Sequence, residues 1–301
     1  MDGDRSRADL EAAAALVEAS GRYVVLRRFE PRRRYHVHDG CATRTGLIVD
    51  TETTGLEAGD PIIQMALVEF RYGLECGRVF EVLGSQSWFE DPGRPIPPEV
   101  TKLTGITDAM VRGQRIDESA VESALARASL VIAHNAAFDR PRLEARIPAF
   151  EGKPWACSHA EIPWAEEGVG STKLDYLAYR LGFFYDAHRA EDDCLALLHL
   201  LAQPLPGSGR LALAALLAQA RRPTTRIWAI GSPFECRAIL KARGYRWCDG
   251  QQGGVKSWYR DVAAAEAEAE LAWLAAEARC DRGRAVALSA LDRHSERAFL
   301  L

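Results

Sequence analysis

Two hydrophobic periods share this chain. Short apolar runs of strand length occur at 47–49, 62–70, 79–83, 130–133 and 155–157, bounded by turn residues such as those at 57–61. Longer segments with helical spacing lie between or after them. Residues 118–127 place Val121 and Leu125 on one face, and 137–146, 172–181 and 192–201 follow. Shorter helices are expected within 95–103 and at 107–111, the latter with Thr107 as N-cap. Three consecutive strands and then strands alternating with helices predict an α/β fold, a mixed five-stranded sheet flanked by helices. Ahead of it, 8–19 reads as an Ala-rich helix and 23–26 as a short strand. Arg27, Arg28, Arg32, Arg33 and Arg34 form a basic arm or, more simply, a solvated hairpin tip.

The pattern changes past the Pro/Gly-rich stretch 204–209, which reads as a linker. An apolar helix at 211–220 and a strand at 226–230 come next. Ser232, Pro233 and Glu235 spell an N-cap, a first-position proline and a capping box for a helix over 234–242 that ends at Gly244. A hairpin joins 245–248 to 256–260 across 249–254, then a long Ala/Glu helix spans 263–278 and a last strand 284–288. The expected organisation is therefore an N-terminal helix and arm (1–45), a main α/β unit (46–203), a linker (204–210) and a small C-terminal α+β module (211–301). A chain ending near Gln203 is expected to keep the main unit.

Candidate chemistry sits at the ends of these elements. Asp50 and Glu52 close the strand that begins at Leu47, and strand alternation points both to one face. Like charges at the end of a buried strand need a positive counterpart, and a divalent cation is the usual one. Asp139 falls in the first turn of a helix after the strand 130–133. His188 stands just ahead of another helix whose first turns hold Asp193. Strand ends and helix starts are where α/β sheets place their sites.

Taken together, the segments Asp50-Thr-Glu-Thr-Thr-Gly, His134-Asn-Ala-Ala-Phe-Asp139 and His188-Arg-Ala-Glu-Asp-Asp193 resemble the three motifs of the DEDDh exonuclease family, in order and with the histidine five positions before the last acid. The pattern is most similar to epsilon-type proofreading subunits of bacterial replicative polymerases, over about residues 46–203. The resemblance implies a ribonuclease-H-like fold. It also implies hydrolysis of phosphodiesters from the 3′ end, releasing nucleoside monophosphates. Asp50, Glu52, Asp139 and Asp193 would hold two Mg²⁺ or Mn²⁺ ions, and His188 would be the general base, a role that suits an imidazole near neutral pH. Asp192 is acidic and adjacent to Asp193 but about 100° away around a helix, and the spacing from His188 favours Asp193. Thr53, Thr54 and Leu56 are expected to line the pocket for the terminal nucleotide, with Asn135 hydrogen-bonding nearby; His134 and Phe138 read as turn and packing residues.

Composition narrows the partner classes. The 301 residues carry a formal net charge of −4, so any nucleic-acid surface must be local. Within 207–261, ten basic residues face three acidic ones, a balance of about +7, with Trp247, Trp258 and Tyr259 interleaved. Arg246, Trp247 and Trp258 are the expected contacts to the substrate strand, the aromatics by stacking on unpaired bases; packing in a small core is the competing role. Seven scattered cysteines without a CxxC pair argue against zinc or a disulfide framework and for a reducing cytoplasm. No apolar run reaches the ~18 residues needed to span a bilayer, and the acidic N-terminal segment does not read as a signal peptide. Single-stranded DNA 3′ ends are the leading substrate. RNA or short oligoribonucleotides are the alternative, an inactive nucleic-acid-binding scaffold the remote one, and a polymerase the candidate partner.

Overall fold

The computed structural model describes residues 6–57, 59–250 and 255–300. The first helix, Arg7–Ala19, is fixed at its start by a capping box in which Ser6 and Asp9 exchange hydrogen bonds. No strand forms at 23–26. Instead a two-residue strand, β1 (Arg27–Arg28), pairs in parallel with β7 (Phe183–Phe184). Arg27 pairs with Glu11 and Glu18, and Arg28 with Asp186. Tyr35 and His36 then donate their amides to Phe80 and Val79, so the stretch after the arginines lies along the main sheet instead of standing free.

That sheet consists of β2 (Thr43–Thr53), β3 (Ile62–Gly73), β4 (Val79–Phe89), β5 (Leu130–Ala133) and β6 (Trp155–Cys157), in the order β4-β3-β2-β5-β6. The β2–β3 and β3–β4 pairs are antiparallel, while β2–β5 and β5–β6 are parallel. The mixed five-stranded α/β arrangement expected from the pattern is the one observed. Both faces of β2 are covered, so its centre is apolar without interruption. Alternation divides it: Ile48 joins one core with Val68, Phe70 and Leu198, and Leu47 and Val49 join the other with Leu67, Val121 and Leu143. Burying each of these side chains is worth about 1.5–3 kcal/mol.

The helix 190–201 covers the first face, and the helices Glu118–Arg127 and Ala136–Arg146 the second. The helix expected over 172–181 is shorter, Leu174–Arg180, and Thr107 occupies an N-cap position without a side-chain capping bond.

The Pro/Gly-rich stretch 204–209 is a tight turn closed by Leu205 N–H to Arg210 O, with Pro204 bridged to Leu211. The helix after it, Ala212–Ala220, buries Leu213, Leu216 and Leu217 in the same core as Ile48. A second sheet follows, all antiparallel: β8 (Thr224–Ile230), β9 (Arg246–Cys248), β10 (Ser257–Ala263) and β11 (Arg282–Leu288), in the order β11-β8-β10-β9. Helix Ala267–Glu277 covers it with Leu274, against Ile227, Leu240 and Val262. The capping box expected at Ser232 does not form. A single 3-10 turn, Phe234–Cys236, precedes the helix Arg237–Ala242, and neither start has a side-chain cap. The hairpin turn expected across 249–254 lies partly outside the described residues.

The tail returns to the main unit. Arg140, fully buried in the 136–146 helix, donates to the carbonyls of Leu291 and Arg293, and the Arg293 side chain pairs with the buried Glu161. Among the described residues, no helix is long and apolar enough to cross a membrane.

Candidate active site

The alternation that divides the core also sorts the acids. Asp50 and Glu52 share the face of Ile48, over which helix 190–201 lies, and there they meet Asp193 from its first turn. Asp50, Glu52 and Asp193 each present a carboxylate oxygen within 4.8 Å of the others. Thr51 points to the opposite face, toward the start of helix 136–146. Its amide (3.1 Å) and its hydroxyl (2.7 Å) both donate to Asp139 Oδ1. Asp139 is thus held from the other side of the strand, still close enough to repel Asp50 and Glu52. A bulge between Glu52 and Thr53 ends the regular pairing with β3 at this point, a common device for re-aiming side chains beside a site.

Gathering four acids here raises their affinity for protons. Burial and then the charges of Asp139, Asp193 and Glu52 hold the Asp50 carboxyl well above its ordinary value. Burial and the neighbouring Asp193 and Asp139 push Glu52 up to about 8. Asp139 is pushed up to about 7 by burial, opposed by the Thr51 hydrogen bonds. Asp193 is also raised by burial, opposed by its own partners: the Tyr185 hydroxyl donates to Oδ1 at 2.7 Å and the Arg189 amide to Oδ2 at 3.0 Å. Desolvated, mutually repelling carboxylates are the donor set a hard divalent cation requires, and the first helical turns that carry Asp139 and Asp193 favour the ionised form of those two carboxylates. Asp192, one position away, lies outside this group; it is raised by burial and by Glu191 and Asp186.

His188 is exposed and has φ of +66°, a left-handed conformation uncommon for a non-glycine residue and concentrated at functional sites. The other left-handed residue here is Asn135, φ +74°, at the start of the Asp139 helix. His134 is a packing residue: its ring bonds Ser158 Oγ and Thr172 O, and burial, aided by His159, pushes it down to about 4.

The expected nucleotide-pocket residues are placed unevenly. Leu56 is 84% exposed, on a loop whose carbonyls at Leu56 and Glu57 are held by Arg142 at 2.8 and 2.7 Å. Thr53 and Thr54 are buried. Thr53 donates its hydroxyl to Gly55 O, while Thr54 gives its amide to Pro61 O and accepts from Arg94 at its hydroxyl. The Thr54 amide is thus committed to the loop, and its hydroxyl oxygen is engaged by Arg94. Two contributors had no part in the sequence reading, Thr51 and Tyr185. The parity of Thr51 between two same-face acids was the signal available for it; Tyr185, eight positions before Asp193, had none.

The surface expected on the C-terminal module is also divided. Trp247 and Trp258 face each other across β9 and β10 with ring centroids 5.4 Å apart. Arg246 is opposite Tyr259 on the other face, 4.9 Å from its ring and 4.0 Å from Asp261. The three are therefore not brought onto one surface. Much of the local positive charge is paired internally: Arg226 with Asp261, and Arg243 and Arg260 with Glu270. The expected +7 balance missed Glu270 because it lies beyond residue 261.

Residues 47–201 match the family model described as Exonuclease, RNase_T, and the chain belongs to that family. It is an exonuclease with a ribonuclease-H-like sheet, and its family generally uses divalent metal ions. The DNA polymerase III subunit epsilon of Treponema pallidum (strain Nichols) is 34% identical over 166 residues, covering 50% of this chain and 72% of that protein. A DNA polymerase III subunit epsilon-like protein of Rhodobacter capsulatus is 32% identical over 202 residues, 59% of this chain and 26% of its own. Among solved structures, exonuclease X in complex with 5′ overhanging duplex DNA aligns with a TM-score of 0.39 and 24% identity, over 58% of this chain and 92% of that one. The zinc-bound E. coli exonuclease I complex with single-stranded DNA aligns at 0.45 and 16%, over 73% and 63%.

Proposed function

We propose that the protein is a 3′–5′ exonuclease that removes nucleoside monophosphates from DNA 3′ ends, using two Mg²⁺ or Mn²⁺ ions held by Asp50, Glu52, Asp139 and Asp193. The observation that carries the reading is the convergence of Asp50, Glu52 and Asp193 oxygens within 4.8 Å, with Asp139 adjoining through Thr51. Bound divalent ions would supply charge neutralisation at the scissile phosphate and ease deprotonation of the attacking water. His188 accepts that water's proton. Its exposed position ahead of Asp193 lets the imidazole pass the proton on to solvent. Asp139 is oriented by Thr51 and Asp193 by Tyr185, so two of the acids keep their geometry through hydrogen bonds instead of relying on a cation alone. Leu56, rigidly presented, and the exposed Asn135 are the candidates for contact with the terminal nucleotide. The polymerase III names of the relatives support DNA as substrate and a replicative polymerase as partner, the latter tested by co-purification with a tagged polymerase subunit.

Matched single-stranded DNA, duplex DNA and RNA labelled at the 5′ end, each with Mg²⁺ and with Mn²⁺, test the substrate. Faster shortening of DNA than of RNA supports the reading. A preference for RNA would instead make the protein an RNA exonuclease, and metal-independent binding without shortening would make it a scaffold.

A further inference from the structure

A second group of metal-ligating side chains lies at the opposite end of β2 from the carboxylates. Asp39 and Cys41 are on the segment entering β2, and Cys76 is in the turn between β3 and β4. One ligand atom from each lies within 4.8 Å of the other two. The Cys41 and Cys76 sulfurs are 3.8 Å apart. Two thiolates bound at about 2.3 Å to one tetrahedral ion also stand about 3.8 Å apart. The seven cysteines read as scattered because 35 positions separate this pair in sequence; the pairing of Thr43 with Gly73 across β2 and β3 closes that interval.

The surroundings make room for the two sulfurs. At Gly73 a Cβ would come within 2.3 Å of Cys76 Sγ and 3.0 Å of Cys41 Sγ, so no side chain fits there while the sulfurs meet. The turn itself is fixed by Leu74 N–H to Ala42 O and by Gly77 N–H to Gly73 O. Asp39 accepts from the Cys41 amide and from Arg78, which aims its carboxylate at the pair. Once both thiols are ionised the group carries three negative charges against one arginine, a balance that a divalent cation corrects.

We propose that Cys41, Cys76 and Asp39 form a binding site for a thiophilic divalent cation of the Zn²⁺ class, with the fourth position left to water or a small ligand. Sulfur donors select such an ion over the hard Mg²⁺ suited to the carboxylates, so the two sites draw on different metals. Asp50 lies seven residues along β2 from Thr43, about 23 Å at the rise of an extended strand. The sulfur site therefore clips the entry of the central strand to the β3–β4 turn and does not touch the reaction. Binding releases the thiol protons and ties the N-terminal segment to the sheet.

Co²⁺ added to the reduced full-length protein reads the site directly, because thiolate-to-cobalt charge-transfer absorption arises from sulfur ligands and not from carboxylates. One equivalent should produce the band, Zn²⁺ should displace it, and Asp50→Asn should retain it. Cys41→Ser and Cys76→Ser should lose it. A second measurement does not depend on the variants folding: at Zn²⁺ one hundred times Kd, alkylation of Cys41 and Cys76 should slow about 100-fold while Cys248 on the other sheet is unchanged. No charge-transfer band, a band that survives Cys76→Ser, or isolation of the two cysteines as a disulfide that Zn²⁺ leaves unprotected would each overturn the proposal.

Discussion

The Tyr185 hydroxyl donates to Asp193 Oδ1 at 2.7 Å, while the Arg189 amide takes the other carboxylate oxygen at 3.0 Å. Asp193 is therefore aimed before any cation arrives. Hydrogen bonds to charged groups are worth about 1.5–3 kcal/mol, so Tyr185→Phe should weaken apparent metal affinity by roughly 10–100-fold. At saturating metal its turnover should recover most of the loss, a behaviour a merely structural tyrosine would not show. Turnover as low at saturating as at limiting Mg²⁺ would argue against the positioning role.

The choice between neighbouring acids is open to a paired test. Asp193 meets Asp50 and Glu52, and Asp192 does not. Asp193→Asn should reduce hydrolysis to background, while Asp192→Asn should stay within a few-fold of wild type. The reverse ranking, measured on one labelled oligonucleotide, would reassign the ligand.

Repulsion among the acids should appear in the metal-free protein as a pH-dependent stability. The folded-state carboxyls of Glu52 and Asp139 are raised, to about 8 and about 7, above their ordinary values. A raised carboxyl binds its proton more tightly when folded, so its favourable contribution is complete below the unfolded value and is lost as pH climbs through the folded one. Without metal the melting temperature should fall between about pH 4.5 and 8, and Mg²⁺ should flatten the profile. Asp50→Asn should raise the metal-free melting temperature at pH 8, by roughly 2–4 °C per kcal/mol of repulsion relieved. A metal-free profile as flat as that with Mg²⁺ would remove this account of the site.

The C-terminal residues are structural for the catalytic unit. Removing everything after Gln203 strips Leu205, Leu213, Leu216 and Leu217 from the core beneath Ile48 and leaves Arg140 without the tail carbonyls. Such a truncated chain should be insoluble or unfolded by circular dichroism, whereas the sequence led to the expectation that a chain ending near Gln203 keeps the main unit. Arg293→Ala, which leaves the buried Glu161 only His294 and the Cys157 amide, should cost about 1.5–3 kcal/mol in chemical denaturation.

How much of this was legible in the sequence follows from the range of each interaction. The two-residue period of β2 and the apolar stripe of helix 190–201 are local, so the sheet, its flanking helices and the shared face of Asp50 and Glu52 were readable; Asp193 joined them through the resemblance of the three motifs and its spacing from His188. The same period, applied to Thr51, would have shown that Asp139 approaches from the other face. Applied to Arg246 and Trp247, which are adjacent on β9, it would have separated them. Proline, glycine and serine at 204–209 suggested a linker, but composition cannot show that Leu205 anchors the turn in the core. Tyr185, Arg293 and the Cys41–Cys76 pair act through tertiary contacts that leave no periodic trace.

The most direct test of the central claim is the product ladder of a 5′-labelled single-stranded DNA with Mg²⁺, run for wild type beside Asp50→Asn and His188→Ala. Wild type should shorten the labelled strand one nucleotide at a time from its 3′ end. Asp50→Asn should leave the strand intact, and His188→Ala should give the same ladder about 10²–10⁴-fold more slowly. Release of the label as a mononucleotide at the outset, or an unchanged ladder from Asp50→Asn, would contradict the assignment of this site and direction.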